Sequence, residues 1–335
     1  MRIYLHGRDN IGWSIDSDRR HAGMFIKDLG HTITGNPFIA RLVHSVWWNQ
    51  LLSGRDVLLR FNKNIITTAT NNIDPSNEEY KKAKKWVNAW VAPSRRQLER
   101  LWNDGVKAFY QPFYVNERIF RKLDLTRQEI AASLGINFDT IRDRFLIGSF
   151  QRDTLGSDLK SPKWQKGPEL LVEILSALAD REKILLLLAG PRRHYVISEC
   201  ESRGIPYLFC GHKPEPGKDD IAVNTLGEKE MALLYNLIDC YVVTSKSEGG
   251  PKAVIESSFC KTLLFSTDVG LAPDFLDARC IYNGKDSVVS DLEQMIRGES
   301  LFYEGLRNKN YDKVNSICSY EAMKERWREI YGEYN

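Results

Sequence analysis

The first half of the sequence contains no cysteine. All six cysteines, at positions 200, 210, 240, 260, 280 and 318, lie in the second half, and none forms a C-x-x-C pair or stands with histidine at the spacing of a zinc site. In mostly apolar surroundings they read as reduced core thiols, which suits a cytosolic chain. Long apolar runs are also missing: the longest, such as ILLLLAG at 184–190, fall far short of the roughly 20 residues that span a bilayer. The opening MRIYLHG is too short for a signal peptide and has no small-residue cleavage site, so it is expected to be a first strand, with no export. Internal repeats, low-complexity tracts and Gly/Ser linkers are absent as well. What remains is ordinary globular composition, 42% hydrophobic and 27% charged, in 335 residues, a length that favours two domains.

Net charge is only +3, but it is unevenly spread. Up to Arg144 there are 23 Lys and Arg against 15 Asp and Glu, and beyond it 24 against 29. A basic first half is expected to meet something anionic: a membrane surface, a phosphorylated lipid or nucleic acid. The bland alternative is a set of scattered surface lysines, including KKAKK at 81–85.

The first 115 residues or so alternate short β-like runs (RIYLHG, DVLLRF, NIITTAT, AWVAPS) with helical stretches around 18–29 and 77–89 and at SRRQLERLW. From 145 onward the alternation is clearer: FLIGSF, PELLVEILSALAD, ILLLLAG, IPYLFC, EKEMALLYNLI, CYVVTS, PKAVIESSFC and TLLFSTD. A run of βα units predicts a parallel sheet with helices on both faces. The division is expected between Tyr114 and Arg144. Within it, QEIAASLGINFDTI imitates a helix-turn-helix and offers a DNA-binding reading. The paucity of basic residues on its second helix and the buried-type strand that follows favour an interdomain helix and turn.

The stretch SKSEGGPKAVIESS, Ser245 to Ser258, is the most informative. CYVVTS reads as a strand, SEGG as a tight turn, and Pro251 suits the first position of a helix. A ligand crevice is therefore expected at the carboxyl end of a parallel strand, where free backbone N–H groups and glycines suit an anionic or polyhydroxyl ligand. A carboxylate repels phosphate but accepts hydrogen bonds from sugar hydroxyls, so Glu248 and Glu256 fit a sugar nucleotide. The competing reading is that both merely favour the helix dipole.

In its setting, EKEMALLYNLIDCYVVTSKSEGGPKAVIESSFCKTLLFSTDVGLAPDFL at 228–276, this Glu, seven residues, Glu pattern resembles the C-terminal domain of GT-B glycosyltransferases of family 4. FLIGSFQRDT at 145–154, QKGPELLVEIL at 165–175 and LLLLAGPRRHYV at 185–196 are similar to further motifs of that family, in the right order. The resemblance implies an α/β GT-B fold of two Rossmann-like parallel-sheet domains with an interdomain cleft. Residues 1–120 would be the acceptor-side domain, 121–318 the nucleotide-sugar donor domain, and 319–335 a terminal helix returning toward the first domain.

Carried over by position, the resemblance implies that Arg152 and Lys166 contact a diphosphate, Glu248 the donor sugar and Glu256 the ribose. The backbone of Gly249, Gly250 and Pro251 would approach sugar and phosphates. Two fixed cations can stabilise charge developing on a leaving phosphate without a metal, and no cofactor is expected. Lys160 and Lys163 lie in the same loop and compete with Lys166 for the phosphate role. Gly12, in HGRDNIGWSID, is similar to the glycine loop that faces the donor. The inner strand NIITTATNN ends without the family's histidine, leaving Asn71 and Thr70 as hydrogen-bond candidates there.

Asp16-Ser17-Asp18 is a DxD of the kind that binds metal in the other glycosyltransferase fold, but it sits where a helix N-cap is expected. Asp16 is alternatively an acceptor contact. His44, Trp47 and Trp48 are either an acceptor platform or the apolar packing of a helix.

The expected function is transfer of a sugar from a nucleoside diphosphate donor to a glycan or lipid-linked acceptor in surface polysaccharide synthesis. Retention, by a front-face displacement, is the family's usual outcome. The place expected is the cytoplasm, with peripheral membrane contact through the basic half. A DNA-modifying glycosyltransferase, a GT-B-fold sugar-nucleotide epimerase and a non-enzymatic helix-turn-helix regulator are the rivals.

Overall fold

The computed structural model describes the chain apart from residues 10–13, 55–56, 63 and 299. It divides into two compact units. One comprises Met1–Tyr114, Glu248–Pro251 and Ser316–Asn335, the other Val115–Ser247 and Lys252–Asn315.

In the first unit six parallel strands run in the order β2-β1-β3-β4-β5-β6. They are β1 (Arg2–His6), β2 (Thr32–Ile33), β3 (Leu42–Ser45), β4 (Ile65–Thr68), β5 (Ala89–Ala92) and β6 (Ala108–Tyr110). β3, β4 and β5 are buried along their whole length, as strands covered on both faces must be. One face packs on the helix Ser14–Asp28 and on Tyr320–Gly332, whose Met323, Trp327, Ile330 and Tyr331 share a core with Ile3, Phe25 and Leu42.

The sequence hides parts of this unit. DVLLRF, read as a strand, contains instead the 3-10 helix Val57–Phe61, with Leu58 and Phe61 exposed. β3 does not stand out as a strand in the sequence, because its LVHS ends in polar residues. Burial is possible because the His44 ring bonds the Tyr331 hydroxyl at 2.8 Å and Ser45 Oγ is bonded to His6 at 2.9 Å.

The second sheet has the order β11-β10-β7-β8-β9, again all parallel. Its strands are β7 (Phe145–Ser149), β8 (Ile184–Ala189), β9 (Tyr207–Cys210), β10 (Cys240–Val243) and β11 (Leu263–Ser266). ILLLLA of β8 is buried throughout between β7 and β9, which explains a run with no alternation. All six cysteines are free, five of them buried, and burial pushes the Cys200 thiol up to about 12.

The helix-turn-helix imitation resolves into Arg127–Ser133, closed by a Thr126/Glu129 capping box, and a four-residue helix Phe138–Ile141. At 1.5 Å per residue the second is about 6 Å long, too short to lie along a major groove. Ile130, Ala131 and Ile141 are buried, and Arg127 reaches Asp239 Oδ2 at 3.2 Å. The segment is therefore a packed element of the second unit.

Candidate functional site

In the second sheet, strand order reverses at β7: β8 and β9 lie on one side, β10 and β11 on the other. Ligands of open parallel sheets settle outside the carboxyl ends of the strands at such a reversal. The loops leaving β7 and β10 carry Arg152 and Ser245–Ser247, and a third loop carrying Lys166 is tied to both. The Thr244 hydroxyl donates to the Lys166 carbonyl at 3.0 Å, and the Lys246 and Ser247 N–H groups donate to the Gln165 carbonyl at 2.9 and 3.3 Å. Gln151, beside Arg152, donates to the same Lys166 carbonyl at 3.3 Å and accepts from the Ser245 hydroxyl at 3.3 Å.

Gly167 makes this close stitching possible. Its φ is +55°, and a Cβ there would collide with the Thr244 carbonyl oxygen. It also caps the helix Pro168–Ala177, whose proline lies in the first turn, so the chain turns sharply at Lys166. Arg152 and Lys166, both half-buried, thus stand on loops fixed to one another at adjoining strand ends. Lys160 is exposed, while the Lys163 backbone N–H donates to the Asp153 carbonyl at 2.7 Å.

Beside Arg152 lies a buried ion pair that the sequence did not suggest. Asp153 and Arg193 are 1% and 0% exposed, with Arg193 Nε 3.3 Å from Asp153 Oδ2. The Asp153 carboxylate also accepts the N–H groups of Tyr195 and Val196 at 3.1 and 3.4 Å, at the start of the helix His194–Arg203. Arg193 Nη2 donates to Ser149 Oγ at 3.0 Å. Loss of water around the carboxylate outweighs Arg193 and the two N–H groups, and nearby Asp220 adds to it, so the Asp153 acid is pushed up to about 6.

Glu256 lies on the helix Lys252–Phe259, which follows the β10 loop. Its carboxylate accepts a hydrogen bond of 2.9 Å from the hydroxyl of Tyr235, which is buried. Burial raises its affinity for a proton, opposed by the Tyr235 bond and by Lys252. A carboxylate held at a fixed point by one hydroxyl keeps capacity to accept others, as ribose recognition requires.

Other candidates belong to the first unit. Glu248, Gly249, Gly250 and Pro251 group with it, and Gly249 lies so close to Thr70 and Asn71 that a Cβ would collide with the Thr70 carbonyl oxygen. The helix starts at Lys252, so Pro251 precedes it. Asn71 is exposed just beyond β4. Gly12 lies outside the described residues. Asp16 falls inside the first turn of Ser14–Asp28 rather than before it, and accepts the Asp9 N–H at 3.1 Å. Among the described residues, no group of three or more His, Cys, Asp and Glu is placed to hold a metal ion.

Of the aromatic candidates, Trp47 is half-buried and its indole N–H donates to Asn49 Oδ1 at 3.1 Å, while His44 and Trp48 are buried. His44 is on a strand, fully buried, and packs against Trp327 with ring centroids 4.9 Å apart. Trp48 is buried 5.9 Å from Trp90. Neither presents a face to a sugar.

No protein-family model and no curated protein matches the chain. Solved structures do. A glycosyltransferase from Rickettsia africae matches with a TM-score of 0.74 at 16% identity, over 99% of this chain and 98% of that one. HepE of Anabaena in complex with UDP and glucose gives 0.73 at 10% identity, over 99% and 100%. Sucrose-phosphate synthase of Thermosynechococcus elongatus gives 0.65 at 14% identity, over 88% and 73%. At these identities the likeness defines the fold: two parallel α/β domains of the GT-B kind.

Proposed function

We propose that the protein is a glycosyltransferase that moves a sugar from a nucleoside diphosphate donor to a glycan or lipid-linked acceptor. The observation that carries this reading is the mutual fixing of the Arg152, Lys166 and Ser245–Ser247 loops at the strand-order reversal of the second sheet. Loops held there with two cations suit a diphosphate, and Glu256, oriented by Tyr235, suits a ribose. The fold's occurrence in HepE bound to UDP and glucose supports the same donor class.

In this reading Arg152 and Lys166 stabilise the charge that grows on the leaving phosphate, without a metal. Each charge-assisted hydrogen bond contributes about 1.5–3 kcal/mol, so loss of either cation should lower the rate roughly 10- to 100-fold. Glu248 holds the donor sugar, while Gly249, Gly250, Pro251 and Gly12 let the backbone approach the donor; Asp16 and Asn71 serve the acceptor. Transfer with retention, in surface polysaccharide synthesis, completes the proposal. The basic first half supports peripheral contact with an anionic membrane face, and among the described residues no helix is long and apolar enough to cross one.

The test is release of nucleoside diphosphate from a panel of UDP-, GDP-, ADP- and dTDP-sugars, with and without glycan or lipid-linked acceptors. Acceptor-dependent release from one donor is expected. Conversion of the donor sugar without any acceptor would point to an epimerase instead.

A further inference from the structure

We infer that the buried Asp153–Arg193 pair is a positioning device that holds the Arg152 and Lys166 loops in register for a diphosphate. The inference rests on the donor-site reading above and goes beyond it, because neither residue is placed to touch the ligand. Arg193 is 0% exposed and Asp153 1%.

Asp153 joins its own loop to two others, the stretch 192–196 and the turn at Lys163. Its N–H donates to the Arg192 carbonyl at 3.0 Å, on the exit from β8, and its carbonyl accepts the Lys163 N–H at 2.7 Å. Its carboxylate caps the start of the helix His194–Arg203 through Tyr195 and Val196, and meets Arg193 at 3.3 Å. The Lys163 carbonyl in turn accepts the Lys166 N–H at 2.8 Å, so the turn bearing Lys166 is built directly on Asp153. On the other side of Arg152, Ser149 at the end of β7 accepts from Arg193 Nη2 at 3.0 Å. Arg152 is therefore bracketed, with Ser149 and Asp153 both held by one buried guanidinium.

A buried charge pair is a poor way to gain net stability, since dehydration of two ions offsets most of their attraction. Such a pair does fix geometry. The Arg193 fork is planar and permanently charged, and among the described residues its buried Nε and Nη1 have no hydrogen-bond partner. A pair that is imperfectly satisfied yet fully enclosed is better explained by what it aligns than by stability.

The experiment compares binding of UDP, GDP, ADP and dTDP, and of the corresponding nucleosides, to the wild-type protein, Asp153→Asn and Ser149→Ala. Ser149→Ala removes one acceptor of Arg193 and serves as the milder variant if Asp153→Asn does not fold. The expected result is a 10- to 100-fold loss of diphosphate affinity in Asp153→Asn and a several-fold loss in Ser149→Ala, with nucleoside affinity unchanged in both. A merely structural pair would weaken nucleoside and diphosphate alike, and that outcome, or unchanged diphosphate affinity, overturns the inference. Failure of the wild-type protein to bind any nucleotide would instead overturn the donor-site reading itself.

Discussion

Replacing Asp153 by asparagine should change how stability depends on pH. The folded protein holds this acid at about 6 rather than its ordinary 3.8, because burial penalises the carboxylate more than Arg193 and the Tyr195 and Val196 N–H groups compensate, and Asp220 opposes its ionisation. Between those two values the folded state binds more proton than the unfolded one, so stability falls as pH rises. About two units at about 1.4 kcal/mol each give about 3 kcal/mol, lost between pH 4 and 6 and constant above. The assay is urea unfolding of wild-type and Asp153→Asn protein at intervals from pH 4 to 8, reading the difference between the two. That difference isolates position 153 from titrating groups elsewhere in the protein. The stability of wild type relative to variant should decline through this window. A relative stability that grows with pH would show that the ion pair holds the carboxylate's proton affinity down, and would refute the argument.

Other perturbations give equally definite expectations. Glu248→Ala should abolish sugar transfer while nucleotide binding persists, which a transfer assay beside calorimetry checks; surviving transfer would remove Glu248 from the site. Glu256→Ala should weaken nucleotide binding by about 10- to 100-fold, the worth of a charged hydrogen bond to ribose. Tyr235→Phe, which removes only the 2.9 Å bond that orients Glu256, should give a smaller loss. Gly167→Ala should destabilise by about 1–2 kcal/mol for its left-handed backbone alone. The clash with the Thr244 carbonyl adds to that, and thermal unfolding with nucleotide titration should show both lower stability and weaker binding.

The second sheet was the most legible part of the fold. Each of its strands opens on at least three consecutive apolar residues and is separated from the next by a helix with a clear start, as at Gly167-Pro168, or a clear stop, as at Gly204 with φ +64°. In the first sheet, β3 hid its hydrophobic character behind His44 and Ser45, whose burial depends on Tyr331 and His6, far away in sequence. Tyr235 and the Asp153–Arg193 pair could not be read for a similar reason. Their partners lie 21 and 40 positions away, brought together by strand neighbours, and no local spacing signals such a pairing. Gly167, by contrast, stands directly before the proline that opens a helix, a local pattern that suits a turn.

In the proposed donor site, the loops around Arg152 and Lys166 hold a nucleoside diphosphate. Calorimetric titration of the purified protein with UDP, GDP, ADP and dTDP, without metal and then with Mg²⁺, tests it most directly. Metal-independent micromolar binding of one nucleotide, lost in Lys166→Ala, is expected. A folded protein that binds none of the four, or a Lys166→Ala variant that binds as well as wild type, would contradict it.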